Sequence, residues 1–162
     1  MAERSSNSAG VRRVVRLLHA GVLALAASPA FADDSGPVGK WLTIDERTNS
    51  PGSIVEITDS NGTLEGKIVK LVQLPGQDPS AMQTTCTQCT GALKGKPING
   101  LPIFWNLKRD GDEWTGGTIL DTSSGNTYSL KMHLIDGGQK MILRAYLGIP
   151  LVGKDGTWVR MK

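Results

Sequence analysis

An all-β fold is what this chain predicts, in its simplest form a single small antiparallel up-and-down barrel of eight strands. Three observations lead there. Turn signals recur at short intervals: Asp59-Ser60-Asn61-Gly62, Asp110-Gly111, Ser123-Ser124-Gly125-Asn126, Asp136-Gly137-Gly138 and Asp155-Gly156. Asn-Gly and Asp-Gly pairs supply the positive φ angles that tight hairpin turns require. Between the turns lie short runs rich in β-branched, aromatic and aliphatic residues, several alternating with period two and none with a helical period.

Taken in order, the runs predict strands at 39–45, 53–59, 63–73, 101–108, 112–120, 126–135, 139–147 and 157–161. The third places Leu64, Gly66, Ile68 and Val72 on one face, broken once by Lys70. The sixth sets Tyr128, Leu130, Met132 and Leu134 on one side, with Ser129, Lys131 and His133 on the other. The seventh does the same with Met141, Leu143, Ala145 and Leu147. Between the third and fourth strands runs a long excursion, residues 74–100, with Pro75, Pro79 and Pro97, several threonines and both cysteines. Residues 81–93 have room for a short helix, but the threonines oppose a long one. An excursion of this length in a tight meander is usually functional or mobile, and we expect it to cover one end of the structure. An open meander leaves two bare edges, which closure into a barrel removes. A two-sheet sandwich has the same strand count and stays open as an alternative.

Residues 1–32 read differently. Arg4, Arg12, Arg13 and Arg16 precede an apolar run at 17–27, and Ala30-Phe31-Ala32 comes just before Asp33-Asp34. A basic start, a short apolar stretch and small residues at alternate positions predict a secretory signal peptide cleaved after Ala32, leaving residues 33–162 as one domain. The apolar run is too short to span a bilayer and holds His19 and Gly21. The full chain carries a net charge of +3 from 18 basic and 15 acidic residues; without the leader's four arginines and Glu3, fourteen of each remain. That neutral remainder, with its charges interspersed, offers no phosphate-binding surface, so a nucleic-acid partner is not expected. It has no further run of membrane-spanning length and no cysteine behind the leader for a lipid anchor, so we expect a protein of the periplasm or of the cell exterior.

Residues able to carry chemistry are few. Cys86-Thr-Gln-Cys89 has the spacing of a thiol–disulfide exchanger, but no βαβ pattern surrounds it. In an oxidising compartment the pair is better read as a structural disulfide closing a tiny loop. One histidine after the leader, His133, and two cysteines fall short of a zinc site. No cofactor is implied. Asp121, at the end of a strand before Thr122-Ser123-Ser124-Gly125, suits a structural role, holding backbone N–H groups of the turn. We make no catalytic assignment, and expect no enzyme.

The aromatic residues say more. Trp41, Trp105, Trp114 and Trp158, with Tyr128 and Tyr146, either fill a core or, in part, line a cavity beside Leu130, Met132, Met141 and Leu143. Which strand face points inward is not readable from periodicity. Gly39-Lys40-Trp41 opens the first strand and Trp158-Val159-Arg160 the last. In a closed meander the first and last strands are neighbours, so the Arg160 guanidinium is placed to stack on Trp41 and seal one end.

These residues also resemble a known family. Gly39-Lys40-Trp41, Cys86-x-x-Cys89 with Gly91, Lys96-Pro97-Ile98 and Gly100-Leu101-Pro102-Ile103 follow one another in a distinctive order. Trp114-Thr115-Gly116-Gly117 with Ile119 and Asp121, then Gly125 and Tyr128, continue it. Leu143-Arg144-Ala145-Tyr146-Leu147-Gly148, Gly153-Lys154 and Trp158-x-Arg160 complete it. The pattern is similar to that of the DUF2147 family of uncharacterised bacterial envelope proteins. Thr122 stands where the pattern has proline, and Ala145 where it has glycine. The resemblance implies a lipocalin-like barrel, exported, carrying a small apolar molecule, with no catalytic residues to transfer. The competing expectation is a structural or protein-interaction domain with a filled core and an exposed apolar patch around Leu101, Ile103, Phe104 and Trp105.

Overall fold

The computed structural model describes residues 36–162; the expected leader and its cleavage site lie outside the described residues. Eight antiparallel strands run β1 (Gly39–Asp45), β2 (Ser50–Ser60), β3 (Thr63–Leu71), β4 (Pro102–Asp110), β5 (Glu113–Leu120), β6 (Thr127–Ile135), β7 (Lys140–Tyr146) and β8 (Gly153–Arg160). Each pairs with the next, and β8 returns to β1 through Trp41 opposite Arg160 and Leu42 opposite Val159. The ring is closed, which decides against the two-sheet sandwich: an up-and-down barrel leaves no edge strand to protect.

Alternation places one residue set inside. Trp41, Val55, Ile57, Leu64, Ile68, Phe104, Leu107, Trp114, Leu130, Met132, Met141, Leu143 and Trp158 form the main core. Close packing in so narrow a barrel needs small residues beside large ones. Gly66 is opposite Phe104 across the β3–β4 pair, and a Cβ there would lie 2.2 Å from the Phe104 ring. A Cβ on Gly117 would lie 2.4 Å from Leu107 Cγ. The one buried polar residue of the core region, Ser53, is satisfied within the barrel, its N–H donating to Thr43 Oγ1 at 2.9 Å.

Three expectations need correction. The last strand begins at Gly153, not 157, so Asp155-Gly156 is strand rather than turn. The reversal lies at 147–152, where Gly148 takes φ +71° and Pro150 lacks a ladder donor. Asp155 instead pairs across the strands with Arg144, its carboxylate accepting from the guanidinium at 2.7 Å. The second strand starts at Ser50 and absorbs Pro51 and Gly52, tolerated because the β1–β2 register shifts between Leu42 and Ile44. Residues 81–93 form no helix; two single 3-10 turns, Pro79–Ala81 and Gly91–Leu93, are all the excursion contains.

The excursion is anchored more than it is a lid. Ile98 enters the main core, while Leu101 joins Cys86, Cys89 and Leu120 in a second cluster, with Leu93 and Trp105 against it. Trp105 and Leu120 follow the inward-facing Phe104 and Ile119, so this cluster lies on the outer face of β4 and β5. Cys86 and Cys89 are joined as a disulfide and sit at its centre.

Candidate functional site

The two ends of the barrel are built from different materials. One end collects residues 36–38, the turns at 61–62, 111–112 and 136–139, and the C-terminus. The other collects 46–49, the excursion, and the loops at 121–126 and 147–152.

Trp41 and Arg160 close the first end. The Arg160 guanidinium lies over the Trp41 ring, 4.3 Å from its centroid. Its Nε donates to Gly138 O at 2.7 Å, and its other nitrogens donate to Val38 O and Gly36 O. The Trp41 indole N–H donates to Pro37 O at 2.8 Å. Gly39, at φ +129°, lets the lead-in segment turn close beneath the guanidinium, 3.4 Å from where a Cβ would stand. Trp158, opposite Met141, fills the layer above.

Along β7 the inward residues then shrink. Met141 faces Trp158, Leu143 faces Gly156, and Ala145 faces Lys154. On β5 and β6, Trp114 faces Met132, Gly117 faces Leu130, and Ile119 faces Tyr128. A cleft of about 470 Å³ opens at the second end. Ile119, Tyr128, Ala145 and Leu147 line it from the inner face, with Leu120, Asp121, Tyr146, Val152, Gly153 and Lys154 at its rim. This volume falls within the range typical of small-molecule sites, roughly 300–1,000 Å³, and the lining is mostly apolar as such sites are.

The cleft divides the residues singled out from the sequence. Tyr128 and Tyr146 line it. Leu130, Met132, Met141 and Leu143 do point inward, but they are packed into the core below it, as are Trp41 and Trp114. Trp105 lies on the outside, against the cluster around the disulfide. The apolar patch expected around Leu101, Ile103, Phe104 and Trp105 is not exposed: Leu101 and Phe104 are buried, and Ile103 and Trp105 half-buried. Large exposed aliphatic residues instead cluster in the 147–152 loop. Leu147 continues the alternation of Met141, Leu143 and Ala145, but falls beyond the strand and is open to solvent. Ile119, Leu147, Val152 and Lys154 line the cleft but were not among the residues expected to line a cavity; the legible signal was an apolar run, Leu147 to Val152, carrying the glycine and proline of a loop.

Charged groups here serve turns. Burial acts to raise the Asp121 carboxyl, but bonds from the Ser123 and Ser124 hydroxyls and the Ser123 backbone N–H outweigh it and hold it below the ordinary aspartate value. Asp45 is lowered first by the Arg47 backbone N–H, and Asp78 by the Ser80 hydroxyl. These are loop caps in three separate places rather than one reacting centre. His133 is half-exposed on the outer face, its Nδ1 3.9 Å from Glu113 Oε1. Among the described residues no three His, Cys, Asp or Glu side chains gather as a metal site would require.

A closed eight-stranded barrel, plugged at one end and cleft at the other, defines the class as lipocalin-like. Protein HP1028 from the human pathogen Helicobacter pylori, described as belonging to the lipocalin family, superposes with a TM-score of 0.62 over 77% of this chain and 82% of its own, at 17% identity. Residues 39–160 match the DUF2147 family, an uncharacterized protein conserved in bacteria, and the chain belongs to that family. No curated protein matches the chain.

Proposed function

We propose that this protein binds a small apolar molecule in the cleft at the open end of its barrel and carries it in the bacterial cell envelope. One observation supports this above the others: a mostly apolar cleft of about 470 Å³ lies at that end, above a core that is filled. Ile119, Tyr128, Ala145 and Leu147 offer apolar contact, while Lys154 offers a cation to a polar head on the ligand. Export rests on the leader sequence, with its basic start, short apolar run and Ala30-Phe31-Ala32. Binding rather than catalysis fits a cleft whose rim carboxyl, Asp121, is already committed to its turn.

Native mass spectrometry of protein taken from its own envelope tests this reading, followed by titration with 1-anilinonaphthalene-8-sulfonate as a probe. We expect a co-purifying apolar species, and probe affinity that falls tenfold or more in Ala145→Trp, which fills the cleft. No bound species, together with equal probe binding by Ala145→Trp, contradicts it. The second reading, a protein-interaction domain, draws on the filled lower barrel, where Trp41, Phe104, Leu130 and Met141 leave no exposed surface. It predicts that the probe finds no site in the wild-type protein.

A further inference from the structure

The β7–β8 loop is unlike the other loops at the open end. Its exposed residues are aliphatic: Leu147 is 61% exposed, Ile149 60%, Leu151 87% and Val152 63%. Burying such groups is the norm, and a cluster of them standing in water marks a surface made for an apolar partner. No acidic residue occurs from Gly137 to Lys154. The nearest acid beyond, Asp155, is paired to Arg144.

Most of the loop's backbone is bonded within the protein. Leu147 N–H donates to Val152 O, Ile149 N–H to Leu147 O, and Val152 N–H to Ile149 O. Pro150 has no N–H to satisfy. Arg144 reaches up from β7 and donates to Pro150 O through Nε and to Leu151 O through its guanidinium, while Asp155 holds that guanidinium from below. Five of the six carbonyls from Leu147 to Val152 and three of the five N–H groups are therefore bonded inside the protein; the N–H groups of Gly148 and Leu151 are not. A loop that stays in water has no need of this, and a protein partner would offer polar groups of its own. Hydrocarbon offers none, so the more of its backbone a loop bonds internally, the less it costs to bring that loop against the acyl boundary. Tyr146 and Lys154 stand at the loop's base, the residue types that favour the headgroup layer beneath an apolar tip.

We propose that the 147–152 loop docks the barrel on a lipid bilayer, with Ile149 and Leu151 entering the acyl boundary and Lys154 at the level of the phosphates. This sets the mouth of the cleft against the membrane surface, since Leu147 and Val152 belong to both. The proposal stands on the loop alone and does not require that the cleft hold a ligand. With a neutral domain behind the loop, apolar insertion dominates, and docking persists at high salt.

The test is methyl NMR of residues 33–162, the chain without its expected leader, on vesicles of phosphatidylcholine and phosphatidylglycerol, 3:1, doped with 5-doxyl phosphatidylcholine. Methyl signals of Ile149, Leu151 and Val152 should relax at least tenfold faster than the Met161 methyl at the closed end. In the Ile149→Asp, Leu151→Asp double variant, whose changes are confined to exposed positions, the Val152 enhancement should fall to that of Met161. Light scattering without vesicles should give a monomer in both proteins. Loop methyls relaxed no more than Met161, an undiminished effect in the double variant, or a dimer that the double variant splits would each overturn the proposal. The last result would assign the loop to contact between two copies of this chain.

Discussion

Arg160 ties the lead-in segment to the closed end and stacks on Trp41, which makes it an informative single residue to change. Its guanidinium combines a stacked cation with three fork-shaped bonds to the carbonyls of Gly138, Val38 and Gly36. An ammonium cannot make that set, so Arg160→Lys should cost about 2 kcal/mol, read as a lower midpoint in urea unfolding with an unchanged slope. Gly66 gives a second residue-level test. A methyl there meets the Phe104 ring in a filled interior, so Gly66→Ala should cost about 1–3 kcal/mol by the same measurement. Asp121 gives a pH test. Its carboxyl is lowered in the fold, so its contribution is present above the unfolded value of about 4 and is lost as pH falls through the folded value. The stability gap between the wild type and Asp121→Asn should be constant above about pH 5 and shrink below about pH 4. A gap that grows on acidification contradicts the assignment.

At the scale of elements, turns anchored by Asn-Gly and Asp-Gly were legible because the positive φ they require is a local property. Asn61, Gly62 and Gly111 all take it. Asp155-Gly156 misled because cross-strand pairing of Asp155 with Arg144 overrode the local signal, and no local reading sees a partner eleven residues away. The disulfide was legible as a pair, but its setting was not. Cys86 and Cys89 centre a small cluster on the outer face of β4 and β5, and the Gln88–Cys89 backbone presses on the 121–126 turn so closely that a Cβ on Gly125 would lie 2.0 Å from Gln88 O. Closing so short a loop is worth about 2 kcal/mol by chain entropy. The Cys86→Ser, Cys89→Ser double variant should therefore lose hydrogen-exchange protection in residues 85–101 and 121–126 while β1, β2, β7 and β8 keep theirs. Loss of protection around the whole barrel would show that the cluster is part of the main core.

For the whole molecule, the eight-stranded closure was readable from strand count and the argument against bare edges, and the pairing of β1 with β8 followed from it. The candidate site was only half readable. Periodicity correctly grouped Leu130 with Met132 and Met141 with Leu143, but it holds no information on depth along the barrel axis. Depth is what separates a packed residue from a lining one, as Met141 opposite Trp158 and Ala145 opposite Lys154 show on the same strand pair. The resulting design is a barrel filled and sealed at the Trp41–Arg160 end and cleft at the other, with an aliphatic loop at its lip. We propose that the open end, and not the filled interior, receives an apolar molecule. The most direct measurement is an NMR titration with decanoate that follows every amide and methyl. Saturable shifts should centre on Ile119, Tyr128, Ala145 and Leu147, with Trp41, Val55 and Phe104 unmoved. Shifts centred on the core residues, or none at any concentration, would contradict it.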